Sequence, residues 1–162
     1  MAITQQLLQS LFDYDPINGG LYWKVRNGLR KTIGKRFGCL EKKSGYRKGT
    51  IESKQYREHR LVWVYHNGDI LPGLEIDHKN AEGLKDDNRI KNLRLATRKQ
   101  NMQNSKSNIK EYKGVYAHGK NVFYAKCADE YIGSFPTARD AAIAYNIVAR
   151  VLYGEFAHLN KI

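Results

Sequence analysis

The sequence predicts an α+β chain of two modules, a larger mixed one followed by a three-stranded antiparallel sheet packed on one helix. Three observations carry this. Helically spaced apolar residues are confined to a few stretches, short strand-like runs between glycine turns fill much of the rest, and a polar, basic segment from Ser105 to Lys110 separates the two sets. At 162 residues and 41% hydrophobic content the chain fits one ordinary domain or two small ones.

In chain order, Ile3, Leu7, Leu8, Leu11 and Phe12 are spaced as one helix face, and Asp13-Tyr14-Asp15-Pro16 with Gly19-Gly20 is expected to end that helix. Leu21 to Val25 reads as a strand, and glycines at 34, 38, 45 and 49 suggest short strands at Phe37 to Leu40 and Tyr46 to Ile51. This extension, residues 1–57, is basic through Arg26, Arg30, Lys31, Lys35, Arg36, Lys42, Lys43, Arg47 and Lys48. A solubilising surface and a phosphate-tracking role are both open for it. Glu58 to His66 reads as a buried helix stopped at Asn67-Gly68, Leu74 to Ile76 as a strand, residues 80–87 as a polar loop and Arg89 to Leu95 as strand-like. Thr97 with Gln100 forms a capping box that opens a helix holding Asn101 and Asn104. Beyond a linker at 106–111, strands are expected at residues 112–116, 123–127 and 131–135, then a helix from Thr137, capped with Asp140, to Gly154.

Charge narrows the function. Lys and Arg number 28 against 16 Asp and Glu, a formal +12, and eleven tyrosines accompany them, so a nucleic acid is the expected partner. No run approaches a membrane span, and neither a signal peptide nor an anchor is expected, which points to a cytoplasmic protein without membrane contact. Cys39 and Cys127 are expected as buried thiols; with no Cys-x-x-Cys pair, a structural zinc site is not expected.

The chemistry concentrates between Ile76 and Asn101. Phosphodiester hydrolysis needs an activated water and a stabilised leaving oxygen, and one bound cation can supply the second. His78 suits the general base, Asp77 offers an anionic oxygen to a hard cation, and Asn101 offers a neutral second oxygen. Asn92 can bond backbone groups across the loop after His78 and so fix the imidazole. Read singly, Asp77-His78 could be a surface pair, and Asn88, Asn92, Asn101 and Asn104 ordinary turn and cap residues.

Asp77-His78, Asn88-Arg89-Ile90-Lys91-Asn92-Leu93 and Gln100-Asn101 resemble the elements of homing-type, phage-encoded HNH endonucleases of the ββα-metal fold. The resemblance extends over residues 1–105, through His59 to Trp63, Gly68 to Pro72 and Gly20 to Lys24, with the ββα-metal core at about 74–105. It implies that Asp77 and Asn101 hold the metal, that His78 is the general base and that Asn92 is the middle residue of the motif. His59 and Arg60 could touch phosphate. Two departures are visible: the loop from His78 to Asn88 is about two residues longer than usual at Glu82-Gly83, and Asn101 replaces the final histidine. An oxygen pair from Asp and Asn favours one Mg2+, with Mn2+ also supporting activity, over softer ions.

Residues 112–162, through Tyr112-Lys113-Gly114-Val115-Tyr116, Ile132 to Phe135, Ala141 to Asn146 and Gly154 to Asn160, resemble the apetala-type (AP2-like) DNA-binding domain. That family lays its sheet in the major groove, which implies a face of Lys113, Tyr116, His118, Lys120, Tyr124 and Lys126. Tyrosines stand where arginine or tryptophan is usual, so phosphate contact and stacking are expected more than base-specific reading. The combined expectation is a metal-dependent endonuclease of double-stranded DNA, dimeric if it breaks both strands. The alternatives are a DNA-binding regulator with a degenerate nuclease half and an RNA-directed nuclease.

Overall fold

The computed structural model describes residues 3–26, 32–80, 83–105 and 111–162. The chain divides into two compact units, Met1–Arg98 and Lys99–Ile162. Of the expected linker, residues 106–110 lie outside the described residues.

In the first unit, α1 (Gln5–Leu11) is capped by Thr4, whose hydroxyl accepts from the Leu7 amide at 3.2 Å. Asp13-Tyr14-Asp15, expected only to end this helix, instead continues from Phe12 as β1 (Phe12–Asp15), paired antiparallel with β2 (Gly20–Trp23). The pairing brings the Phe12 and Trp23 rings to 4.3 Å between centroids, and Phe37 meets Phe12 edge-on at 5.6 Å. Burial of these rings outweighs the poor strand propensity of two aspartates. A second sheet runs β3 (Cys39–Leu40), β4 (Arg47–Ile51) and β5 (Lys54–Arg57). β5 is a polar strand absent from the expectation; a two-residue turn at Glu52-Ser53, both at positive φ, folds it back on β4. Cys39, expected to be buried, is exposed because β3 is a two-residue edge strand, whereas Cys127 is buried; both thiols are free.

The buried helix α2 (Glu58–Asn67) ends where Gly68 takes φ 78°. Strands β6 (Leu74–His78) and β7 (Leu93–Thr97) pair antiparallel from Leu74↔Thr97 to His78↔Leu93, and α3 (Arg98–Asn104) follows. β6 thus runs through Asp77 and His78, and the residues expected to begin β7 form a 3-10 turn at Ile90–Asn92. The core of this unit gathers Leu8, Phe12, Leu21, Phe37, Leu61, Val62, Ile76 and Leu93.

In the second unit β8 (Val115–Ala117), β9 (Phe123–Cys127) and β10 (Glu130–Phe135) form an antiparallel sheet in the order β10-β9-β8. Helix α4 (Ala138–Tyr153) starts with the Thr137 hydroxyl accepting from the Asp140 amide at 3.1 Å. It lays Ala141, Ala142, Tyr145 and Ala149 on Val115, Ala125 and Cys127. Gly114, at φ 74°, admits the close approach: a Cβ there would collide with the Tyr145 ring and the Lys126 carbonyl. Among the described residues, no helix is long and apolar enough to cross a membrane.

Candidate active site

Strand alternation points Asp77 and His78 to opposite faces of the β6–β7 ribbon, yet both are buried, at 5% and 7% exposure. Asp77 sits opposite Arg94, and its Oδ2 accepts from the Arg94 Nε at 2.9 Å with Nη2 at 2.8 Å. A carboxylate suits a hard divalent cation, so the donor chemistry fits; a bound ion would share or displace the guanidinium. Among the described residues no three His, Cys, Asp or Glu side chains cluster in a way that could hold a metal.

On the other face, the His78 Nε2 lies 3.1 Å from the Asn88 Oδ1. Burial pushes the His78 pKa below the ordinary histidine value, against the opposing pull of the Asn88 bond and the Asp77 charge. The His59 ring lies 5.2 Å from that of His78, and Tyr46 lies 6.0 Å away. Burial lowers the His59 pKa to about 3, and its Nδ1 has no hydrogen-bond partner among the described residues. His59 is therefore held neutral, with its ring against those of Tyr46 and His78.

The loop between β6 and β7 is clamped by Asn92. Its Oδ1 accepts from the Asn80 amide at 3.1 Å, its Nδ2 donates to the Asp87 carbonyl at 2.9 Å, and its own carbonyl accepts from Lys79 at 2.8 Å. The β1–β2 hairpin props the same loop: the Tyr14 hydroxyl on β1 accepts from the Ile90 amide at 2.9 Å, and Gly19 (φ 71°) in the turn packs so closely that a Cβ would enter the Asn88–Arg89 backbone.

Behind Asn88 lies Glu58, fully buried at the first position of α2. Its Oε2 accepts from Asn88 Nδ2 at 2.8 Å and Arg36 Nη2 at 2.7 Å, and its Oε1 from the Leu21 amide at 3.1 Å and Arg36 Nε at 3.2 Å. Arg47 Nε stands 3.6 Å from Oε2 and binds Asp86, as Arg36 does. Arg36 and Arg47 of the extension are thus ion-pair partners within the protein. Sequence reading missed Glu58 and Asn88 as site residues: an acid opening a helix is ordinary, and Asn88 was open to a turn role.

Of the expected DNA contacts, Arg60 is exposed on α2. On the sheet of the second unit, Tyr116 and Tyr124 are register partners, stacked at 5.1 Å and 9°. The Tyr124 ring in turn has the His118 ring at 6.4 Å, the Tyr131 ring at 6.3 Å and the Lys126 Nζ at 5.8 Å from its centroid. Tyr131, not among the expected contacts, joins this face at 60% exposure. Lys120 is exposed on the β8–β9 turn. Lys113 differs: its ammonium donates to the carbonyls of Gln103 and Ser105, at 2.5 and 2.8 Å. Asn101 lies on α3 in the second unit, half-buried.

Residues 56–103 match the HNH endonuclease family model. The chain is 35% identical over 125 residues to an uncharacterised HNH endonuclease of Acanthamoeba polyphaga mimivirus, an alignment that covers 74% of this chain and 65% of that protein. The chain thus spans just under two thirds of that relative's length. No solved structure matches the chain. Both matches support a nuclease.

Proposed function

We propose, from the HNH endonuclease domain carried by residues 56–103, that the protein is a metal-dependent endonuclease that hydrolyses phosphodiester bonds in duplex DNA. The observation that carries this reading is His78, buried on β6 beside Asp77, with a side-chain partner on its ring and a loop clamped at both ends around it.

His78 takes a proton from water as the water oxygen bonds to phosphorus, the bond from phosphorus to the 3′ oxygen breaks, and that oxygen takes a proton from solvent, leaving a 5′ phosphate and a 3′ hydroxyl. Burial below the ordinary histidine range keeps the imidazole in its basic form at neutral pH. Asp77, with Asn101 as the second oxygen that the resemblance assigns, would hold one divalent cation, Mg2+ or Mn2+. When bound, that ion stabilises charge on the phosphate and the leaving oxygen. Asn92 keeps the loop from sagging into the site.

The second unit docks the enzyme on duplex DNA as an AP2-like domain. The supporting feature is the exposed face of Tyr116, Tyr124 and Tyr131 with His118, Lys120 and Lys126, in a chain of formal charge +12. Arg60 adds a phosphate contact from the first unit.

Supercoiled plasmid incubated with the protein and Mg2+ or Mn2+ is expected to be nicked, and EDTA is expected to stop it. His78→Ala should abolish cleavage while DNA binding, followed by gel shift, is retained. Undiminished cleavage by that variant would sink the mechanism.

A further inference from the structure

Each hydrogen-bonding partner of the Glu58 carboxylate is a donor: the Leu21 amide, two nitrogens of Arg36 and the Asn88 Nδ2. The carboxylate can only accept. Its demand settles which way the fully buried Asn88 amide points, because the NH2 end must face Glu58 and the oxygen is left for His78. An amide oxygen cannot donate, so the His78 nitrogen opposite it, Nε2, must carry the hydrogen.

We propose that Glu58 and Asn88 are positioning residues that lock His78 in its Nε2-protonated tautomer and so put the basic lone pair on Nδ1. The inference rests on His78 being the general base. Neither residue touches substrate; each acts through the next in line. The anchor lies outside the hairpin that carries His78: Glu58 belongs to α2, and Leu21 and Arg36, which hold it, come from the amino-terminal extension. The extension therefore contributes to the orientation of the base from 37 residues before Glu58 in the case of Leu21 and 22 in the case of Arg36.

Glu58→Gln is the diagnostic variant, since it keeps shape but gives one end of the side chain a donor. The Leu21 amide cannot turn, whereas Asn88 can. With the introduced NH2 facing Asn88, that amide rotates, so its own NH2 points at His78 and selects the Nδ1-protonated ring. Asn88→Ala, by contrast, removes the amide oxygen that pairs with the Nε2 hydrogen and weakens the preference for that tautomer.

The test is nitrogen-15 NMR of the imidazoles in the full chain, metal-free and at pH 8, with plasmid cleavage kinetics on the same samples and thermal melts to confirm folding. The wild-type ring should be Nε2-protonated, the ring in Glu58→Gln should move toward Nδ1, and the ring in Asn88→Ala should lose part of its Nε2 preference. kcat should fall roughly tenfold or more with KM within about twofold, bounded by the roughly 10²- to 10⁴-fold that a general base contributes. Glu58→Gln should cost nothing further in the Asn88→Ala background. An unchanged tautomer in both folded variants, or additive losses in the double variant, overturns the lock. Failure of the base assignment reads out separately, as full cleavage by His78→Ala with the tautomer shifts still present.

Discussion

His59 is 4% exposed, with a pKa lowered to about 3 by burial. The unfolded chain binds a proton there near pH 6.5 and the folded chain does not, so stability is present above pH 6.5 and is lost as pH falls toward 3. The loss should reach roughly 2 kcal/mol by pH 5, and urea titrations across this range should be flatter in His59→Phe. The Asp77–Arg94 pair makes a second residue-scale prediction. Arg94→Met leaves a buried carboxylate without its guanidinium and should cost about 3–5 kcal/mol in denaturant unfolding. Divalent metal should then raise the melting temperature more in the variant than in wild type, because the ion no longer competes with Arg94. Equal shifts would argue that Asp77 does not meet the metal. The bonding of Asn92 across the loop after His78 was legible in the sequence, because an amide at that interval after a strand can reach main-chain groups on both sides of the loop. Glu58 was not. Its importance comes from burial, and burial there is set by Leu21 and Arg36, which no local pattern connects to the first turn of α2.

At the scale of elements, the β1–β2 hairpin acts as a prop. Gly19→Ala would have to displace the Asn88–Arg89 backbone and adopt a left-handed conformation, so it should cost about 1–3 kcal/mol and depress cleavage beyond the stability loss. Melting temperatures and cleavage rates measured below the transition separate the two effects. Phe12→Ala should cost about 3–5 kcal/mol through the cavity it leaves among Trp23 and Phe37, with cleavage at low temperature largely kept. Helices α2 and α4 and the strands β9 and β10 could be read from the sequence, whereas the strand expected at residues 112–116 begins only at Val115, after the turn that Gly114 makes at φ 74°. β1 and β5 could not. Their sequences, Phe-Asp-Tyr-Asp and Lys-Gln-Tyr-Arg, look like a helix stop and a surface turn, and their partners β2 and β4 are what make them strands.

Across the whole molecule, a formal charge of +12 should make DNA affinity fall steeply with salt. Lys126→Ala should reduce the slope of log affinity against log salt by about one, whereas Tyr116→Ala with Tyr124→Ala should weaken binding at all salt concentrations without changing the slope. Fluorescence anisotropy with one duplex over a salt series distinguishes these. The second unit also closes on itself. Asn160 accepts from the Lys113 amide at 2.6 Å and donates to its carbonyl at 3.0 Å, while Asn146 bonds both main-chain groups of Asn160. The stretch from Lys113 to Asn160, which holds the sheet and α4, therefore begins and ends at almost the same point. A cassette of that shape can be spliced into a surface loop of an unrelated protein without stretching its host, since the gap it must bridge is little wider than a hydrogen-bonded turn.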